Sequence, residues 1–233
     1  HILIETVLQL RHKIKNVVVP RAAGRTIQDP SLALMMKSIG FNNVIELDTL
    51  GEVSIPEGKI TGLPFIGEHG DLDIACKLAY LIDLKGYKIM LLADSDNIDS
   101  NLYEHLHSLY GDIDTIFMGM ECEGAPMSWL YGPLRSKPLE HKHDQERRLN
   151  GSNYERGMGI VNILNPKETY VYAMGAEPWI KYISSIQYTE ESYPIVESNK
   201  LVNACKERGI RSSRLFGTNE LNVEKFELEE KEK

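Results

Sequence analysis

Hydrophobic and polar residues alternate in two different rhythms along the chain. Up to Leu47, helix-like periods at 2–14 and 30–39 alternate with short apolar runs at 16–20 and 43–47. This order of helix, strand, helix and strand predicts an α/β layer. From Gly51 onward the apolar runs are strand-sized and closely spaced, at 51–55, 59–66, 75–84 and 87–92. The Lys85-Gly86 pair between the last two runs predicts a hairpin turn.

The second half of the chain mixes helix and strand patterns again. Apolar spacing predicts helices at 99–110, 152–164, 178–183 and 194–207, and strands at 114–120 and 168–173. Asp96 and Asp99 are candidate N-caps of the first of these helices. The polar, proline-containing segment 126–150 predicts a loop.

Composition narrows the class of protein. The 233 residues are 42% hydrophobic and 26% charged, which is typical of a folded globular chain. No apolar run approaches the roughly 18 residues of a membrane span. The net charge of −8 argues against general nucleic-acid binding. The 3 widely spaced cysteines give neither a disulfide framework nor a zinc motif, so a reducing, cytoplasmic location is expected.

Acidic residues follow two predicted strands at the point where each strand ends. Glu68 and His69 come directly after the run that ends at Ile66, and Asp94 follows the apolar run 89–93. Carboxylates and a histidine at strand ends are suitable ligands for a metal. Two local interpretations stay open, because residues 94–97 could form a turn before the next helix, and residues 67–70 an exposed hairpin tip.

The order of these elements and motifs resembles the downstream part of a metallo-β-lactamase fold, an αββα sandwich. In that family a His-x-His-x-Asp-His motif directly precedes a helix, and His1 before the helical segment 2–14 fits the last histidine. The resemblance implies that the rest of the motif lies upstream. It also implies a partial metal-binding domain at 1–151 and an extension at 152–233 that packs on the same domain.

One departure from the common family pattern is informative. Hydrolases of this fold carry a Gly-His turn where this chain has Gly67-Glu68, and a metal-bridging aspartate where it has Asp94. A glutamate at this turn is similar to the diiron β-hydroxylase branch, whose chloramphenicol-pathway member hydroxylates an amino acid held on a carrier domain. The resemblance implies a metal site of His1, Glu68 and Asp94, with Glu68 as the mobile carboxylate and Asp94 as the bridging one. A carboxylate in place of an imidazole favours two iron ions over zinc, with manganese as a further alternative.

The same resemblance implies an O₂-dependent hydroxylase of natural-product biosynthesis. Its substrate would be an amino acid, either a free small molecule or tethered to a carrier domain. An external electron donor is expected, because no G-x-G-x-x-G fingerprint of a flavin or nicotinamide site is present. No nucleic-acid or membrane partner is expected, and homodimerisation stays open.

Several alternatives remain at this stage. His69 is the ligand instead of Glu68 if the turn is shifted by one residue, and otherwise it orients Glu68. Glu121, after the run 114–120, either replaces a late family histidine or leaves that coordination position open. His141 and His143 are interpreted as part of a solvated loop. The rival functions are a metal-dependent hydrolase of an ester, lactone or phosphodiester, and a catalytically inactive binding domain.

Overall fold

The computed structural model describes residues 4–22, 32–68, 77–122, 137, 140, 151–174, 188–216 and 219–221. In chain order the elements are α1 (Ile4–Leu10), β1 (Asn16–Pro20), α2 (Leu32–Ile39), β2 (Asn43–Leu47), β3 (Glu52–Ile55), β4 (Gly58–Pro64), β5 (Leu78–Leu84), β6 (Tyr87–Ala93), α3 (Ser100–Tyr110), β7 (Thr115–Met118), α4 (Tyr154–Leu164), β8 (Glu168–Val171), α5 (Tyr193–Glu207) and β9 (Arg211–Arg214). None of the described helices is long and apolar enough to cross a membrane.

The first half of the chain forms a small parallel unit. β1 pairs with β2 in parallel, and α2 packs on both strands around a cluster of Val19, Ala33, Met36 and Phe41. The two strands have the predicted bounds, which confirms the alternation of helix and strand in this part of the sequence.

The remaining strands form one seven-stranded sheet in the order β3-β4-β5-β6-β7-β8-β9. β3 to β6 form an antiparallel meander, and β6 to β9 are parallel. Each parallel connection contains a helix, as parallel strands require. The three helices α3, α4 and α5 contact one another in sequence, so they cover one face of the sheet.

The main hydrophobic core lies between this sheet and its helices. Along β6, Met90 and Leu92 are buried while their neighbours Ile89 and Leu91 are only partly buried. This alternation follows from the two-residue period of a strand. The buried residues of β6 share one cluster with Ile160 of α4 and Leu201 of α5.

The hairpin prediction at Lys85-Gly86 is confirmed, since both residues have positive φ, 51° and 80°. The strand β9 was not predicted, because its sequence Arg-Ser-Ser-Arg has no apolar pattern; it is the last strand of the sheet. β8 and β9, from the predicted extension 152–233, belong to the same sheet as β3 to β7 from the predicted domain 1–151. The domain boundary at 151 stays a prediction. The helix predicted at 178–183 lies outside the described residues.

The prediction of Asp96 as a helix cap is wrong. Asp99 is the N-cap of α3, and its Oδ1 accepts a hydrogen bond from the Asn101 amide at 3.0 Å. Asp96 is instead buried, with 1% of its surface exposed, and it forms an ion pair with Arg156. Two aspartates three positions apart in sequence thus have different roles.

Candidate metal centre

The chain segments that follow β4 and β6 meet at one edge of the sheet. β4 and β6 run in the same direction on either side of β5, which begins at Leu78 opposite Pro64. Beyond that point Gly67 and Ser95 form an isolated antiparallel bridge. The Glu68 amide donates a hydrogen bond to the Asp94 carbonyl at 3.1 Å, so the backbone holds the two predicted ligands side by side.

Gly67 permits this close approach. A Cβ atom at this position would lie 2.2 Å from the Asp94 carbonyl oxygen and 2.8 Å from the Ser95 Cα. Both atoms belong to the backbone and cannot move aside without breaking the bridge. The glycine before Glu68 is therefore required by the contact between the two segments.

Asp94 is directed across the end of β7. The preceding Ala93 has φ 48°, in the left-handed region that non-glycine residues rarely adopt, and the register between β6 and β7 shifts between Leu91 and Ala93. The Gly119 amide donates to the Ala93 carbonyl at 2.7 Å. A Cβ atom on Gly119 would lie 3.0 Å from Asp94 Oδ1, so the absence of a side chain leaves room for the carboxylate. Such local strain is typical of functional sites.

Glu68 is buried, with only 4% of its surface exposed, and Asp94 is partly buried. The interpretation of residues 67–70 as an exposed hairpin tip is therefore wrong for Glu68. A buried carboxylate is costly unless positive charge or hydrogen bonds compensate it. A metal cation is one source of that compensation.

Tyr172, just after β8, lies close to the same strand ends. Burial raises the pKa of the Tyr172 hydroxyl, and the negative charge of Asp94 adds to the rise. A hydrogen bond from the Ala93 backbone acts in the opposite direction. The Tyr172 hydroxyl is therefore harder to ionise than an exposed tyrosine.

The other predicted ligands are only partly covered by the described residues. His1 and His69 lie outside them, as do His141 and His143. Glu121 follows β7 and accepts a hydrogen bond from the Tyr188 hydroxyl, so its carboxylate has a protein partner. Within the described ranges, no group of three or more histidine, cysteine, aspartate and glutamate side chains is arranged to hold a metal.

The described donors fit a hard cation. Glu68 and Asp94 offer carboxylate oxygens, which suit iron or manganese. Zinc is more typically bound by imidazole nitrogen and thiolate sulfur. Of the predicted set, the structure brings these two together at one edge. A complete site for two metal ions needs further ligands from outside the described residues.

Sequence analysis missed a polar cluster directly behind these residues. Arg156 Nη1 lies 2.5 Å from Asp96 Oδ2, and Ser152 Oγ lies 3.3 Å from Asp96 Oδ1. Burial raises the pKa of Asp96, and Arg156 opposes that rise. The position of Asp96, two residues after Asp94, was the only local signal, since Arg156 lies 60 residues away in sequence.

The chain is similar in sequence and in structure to known proteins. No family model matches the chain. Over 215 residues, or 92% of its length, the chain is 41% identical to a 4-amino-L-phenylalanyl-(CmlP-peptidyl-carrier-protein) 3-hydroxylase of Streptomyces venezuelae. The crystal structure of CmlA, a diiron β-hydroxylase from Streptomyces venezuelae, covers 96% of the chain with a TM-score of 0.87 and 40% identity. The chain is a homologue of CmlA.

A variant of CmlA with one glutamate replaced by aspartate also matches, with a TM-score of 0.81 and 40% identity over 92% of this chain. The chain spans only 40% of the length of the curated hydroxylase and 43% of the CmlA crystal chain. These similarities confirm the predicted resemblance to the diiron β-hydroxylase branch. They also confirm the predicted α/β fold of the metallo-β-lactamase type.

Proposed function

We propose that the protein is a dinuclear iron, O₂-dependent hydroxylase that acts on an amino acid tethered to a carrier protein. The observation that carries this proposal is the 41% identity to a hydroxylase of a carrier-bound aminophenylalanyl group. The TM-score of 0.87 to a diiron β-hydroxylase supports the choice of metal. The expected product is the aminoacyl group with a hydroxyl on its β-carbon.

The proposed ligands supplied by this chain are His1, Glu68 and Asp94. Two bound iron ions would supply the activation of O₂. The hydrogen bond between the Glu68 amide and the Asp94 carbonyl fixes the backbones of both proposed ligands relative to each other. The burial of Glu68 limits access of water to this side of the site.

Tyr172 has a supporting part in this proposal. Burial raises the pKa of its hydroxyl, and the Asp94 charge adds to the rise. Its hydrogen bond with the Ala93 backbone fixes the strained residue that directs Asp94 across the end of β7. A carrier protein as partner and an external electron donor complete the proposed reaction, because O₂-dependent hydroxylation consumes two electrons from a reductant.

Metal content of the full-length protein, measured by mass spectrometry, tests the proposal first. We expect about two iron ions per chain, the number that a dinuclear site requires. Incubation with O₂, a reductant and an aminoacyl-loaded carrier protein should add one oxygen atom to the aminoacyl group. Zinc together with hydrolysis of an ester, lactone or phosphodiester would instead favour the hydrolase, and absence of any metal would favour a binding domain.

Single substitutions test the ligand assignment. Glu68→Ala and Asp94→Ala should each reduce bound iron and abolish hydroxylation. Asp99→Ala is the matched control, because Asp99 is an acidic residue of the same β6–α3 connection that caps α3. Retention of full iron content by the Glu68 and Asp94 variants would contradict the assignment.

Replacement of Glu68 by histidine tests why a carboxylate stands at this turn. The variant Glu68→His restores the imidazole that hydrolases of this fold carry. Since imidazole suits zinc better than a carboxylate does, we expect the ratio of bound zinc to bound iron to rise. An unchanged ratio would show that Glu68 does not select the metal.

A further inference from the structure

An ion pair between a buried aspartate and a half-exposed arginine lies at the turn that carries Asp94. The Asp96 side chain is fully buried, and Arg156 Nη1 lies 2.5 Å from its Oδ2. Ser152 Oγ donates to the Ser95 carbonyl at 3.1 Å and lies 3.3 Å from Asp96 Oδ1. Arg156 belongs to α4, and Ser152 lies just before Asn153, the N-cap of that helix, so these contacts join the turn after β6 to α4.

The backbone of the same turn binds the segment that carries Glu68. The Asp96 amide donates to the Ile66 carbonyl at 2.7 Å, and the Glu68 amide donates to the Asp94 carbonyl at 3.1 Å. Asp96 therefore contacts α4 through its side chain and the Glu68 segment through its backbone. Any movement of Asp96 would be transmitted to both proposed ligands.

The surface of α4 is shaped for close contact with this turn. A Cβ atom on Gly159 would lie 2.4 Å from Asn97 Nδ2, so a side chain at this helix position would displace the side chain of the residue after Asp96. The Asp96–Arg156 ion pair and Gly159 thus lie at neighbouring points of the contact between α4 and the turn after β6. A turn held at a helix surface in this way has little freedom to shift.

We propose that Asp96 and Arg156 are positioning residues, whose ion pair anchors the turn 94–96 to α4 and thereby sets the relative position of Glu68 and Asp94. That Glu68 and Asp94 bind iron rests on the proposed function. The anchoring does not, because it is a property of the metal-free protein. Outer contacts of this kind orient ligands that bind metal directly, and their loss typically lowers metal affinity about 10- to 100-fold.

Amide hydrogen exchange of the metal-free, full-length protein tests the anchor by itself. Asp96→Ala and Arg156→Ala should accelerate exchange of the amides of residues 68 and 96 at least about tenfold, because local opening of the turn exposes them. The amides of Ile116 and Val171, in the centre of the sheet, should keep their protection. Arg208→Ala is the matched control, since it removes an arginine that contacts Asn162 of the same helix at 2.5 Å.

Two results of this exchange experiment would overturn the anchoring. One is unchanged exchange at residues 68 and 96 in both variants. The other is equal acceleration throughout the sheet, because it would mean that the ion pair stabilises the whole fold and not this turn.

Metal titration tests the consequence for the site. In titrations with Co²⁺ as a spectroscopic probe, both alanine variants should bind about 10- to 100-fold more weakly than the wild type and show an altered visible spectrum. Arg156→Lys retains the positive charge and should recover most of the affinity. Wild-type affinity and spectrum in the alanine variants would overturn the positioning role. If the wild type itself binds no metal, the proposed function fails, and the exchange result still decides whether the anchor exists.

Discussion

Acidic residues lie at both edges of the seven-stranded sheet, but in different surroundings. At the turn edge, where β6 and β7 begin, Asp83 accepts a hydrogen bond from the Gly86 amide at 2.8 Å. Asp114 accepts from the Lys88 amide and from Lys167 Nζ, each at 2.8 Å. These carboxylates close turns and bind lysine within reach of water.

At the ligand edge, where β4 and β6 end, acidic residues are withdrawn from water. Glu68 and Asp96 have exposed fractions of 4% and 1%, and Asp94 lies between them. Buried carboxylates need positive charge or hydrogen bonds that compensate for their lost hydration. Arg156 supplies a positive charge to Asp96. The proposed iron ions would bind at Glu68 and Asp94. Burial alone does not distinguish the two edges, because Glu168 at the turn edge is also buried, with an arginine partner. The clustering of several acidic residues on two neighbouring turns is what distinguishes the candidate site.

The largest effects are expected from the replacement of two glycines, one at each edge. A Cβ atom on Gly67 would meet the Asp94 carbonyl oxygen at 2.2 Å, and one on Gly58, at the turn edge, would meet the Asp83 carbonyl oxygen at 1.9 Å. Both Gly67→Ala and Gly58→Ala should lower the free energy of unfolding by about 3 kcal/mol, since each forces the backbone apart. Only Gly67→Ala should also lower iron affinity, by about tenfold or more.

Urea unfolding and iron titration of the two glycine variants check this expectation. The wild type and Gly58→Ala should bind iron with the same affinity. If both variants lost iron equally, the ligand edge would have no special role in holding the metal.

The next largest effect should come from the ion pair of Glu168 at the turn edge. Glu168 has only 3% of its surface exposed, and its carboxylate pairs with Arg211 of β9. Arg211→Ala leaves the buried Glu168 charge without its cation. Because about half of Arg211 is exposed, the free energy of unfolding should fall by about 2–3 kcal/mol, less than for a fully buried pair, while iron affinity stays unchanged. Arg21→Ala is the control, because the Arg21–Asp48 pair is exposed and such pairs contribute less than about 1 kcal/mol. Comparable losses in the two variants, measured by urea unfolding, would contradict this distinction.

A smaller effect is expected for Tyr170, whose hydroxyl donates to Glu168 Oε2 at 3.0 Å. Burial, followed by this hydrogen bond and the Glu168 charge, raises the pKa of Tyr170 to about 12. Because the folded state holds the proton more tightly than the unfolded chain, the stabilisation is complete below about pH 10 and is lost as the pH rises toward 12. Tyr170→Phe should cost about 2 kcal/mol at neutral pH, the usual loss for a bond to a charged acceptor.

The pH series gives this prediction its control. The unfolding free energies of the wild type and Tyr170→Phe, measured from about pH 8 to about pH 12, should differ less as the pH rises. This range spans the pKa of Tyr170 in the unfolded chain, about 10, and in the folded protein, about 12. A constant difference across that range would mean that Tyr170 titrates alike in the folded and unfolded chains.

The sequence predicted most strands and helices because their apolar residues follow simple periods. β1 and β2 have the predicted bounds, and the two residues of the β5–β6 turn adopt the positive φ angles that a Lys-Gly hairpin needs. β9 escaped prediction because its residues are polar and its place in the sheet depends on pairing with β8. Local patterns do not contain that information.

The site was predictable to the same extent. Glu68 and Asp94 follow the ends of strands that are recognised by their apolar runs. The resemblance to diiron hydroxylases predicted their role as metal ligands. The Asp96–Arg156 contact was not predictable, because it joins residues 60 positions apart. A contact between residues so far apart in sequence can be identified only once the position of the helices on the sheet is known.

The smallest effect separates Asp99 from Asp96, which look alike in the sequence. Asp99 caps α3 through the Asn101 amide, so Asp99→Ala should cost about 1 kcal/mol of unfolding free energy. Asp99→Asn should be nearly neutral, because asparagine caps helices as well as aspartate does. Asp96→Asn should instead weaken iron binding, since it removes the charge that pairs with Arg156. Urea unfolding and iron titration of the two asparagine variants therefore distinguish a helix cap from an anchor of the ligands, and the same response at both positions would show that Asp96 has no role beyond the turn.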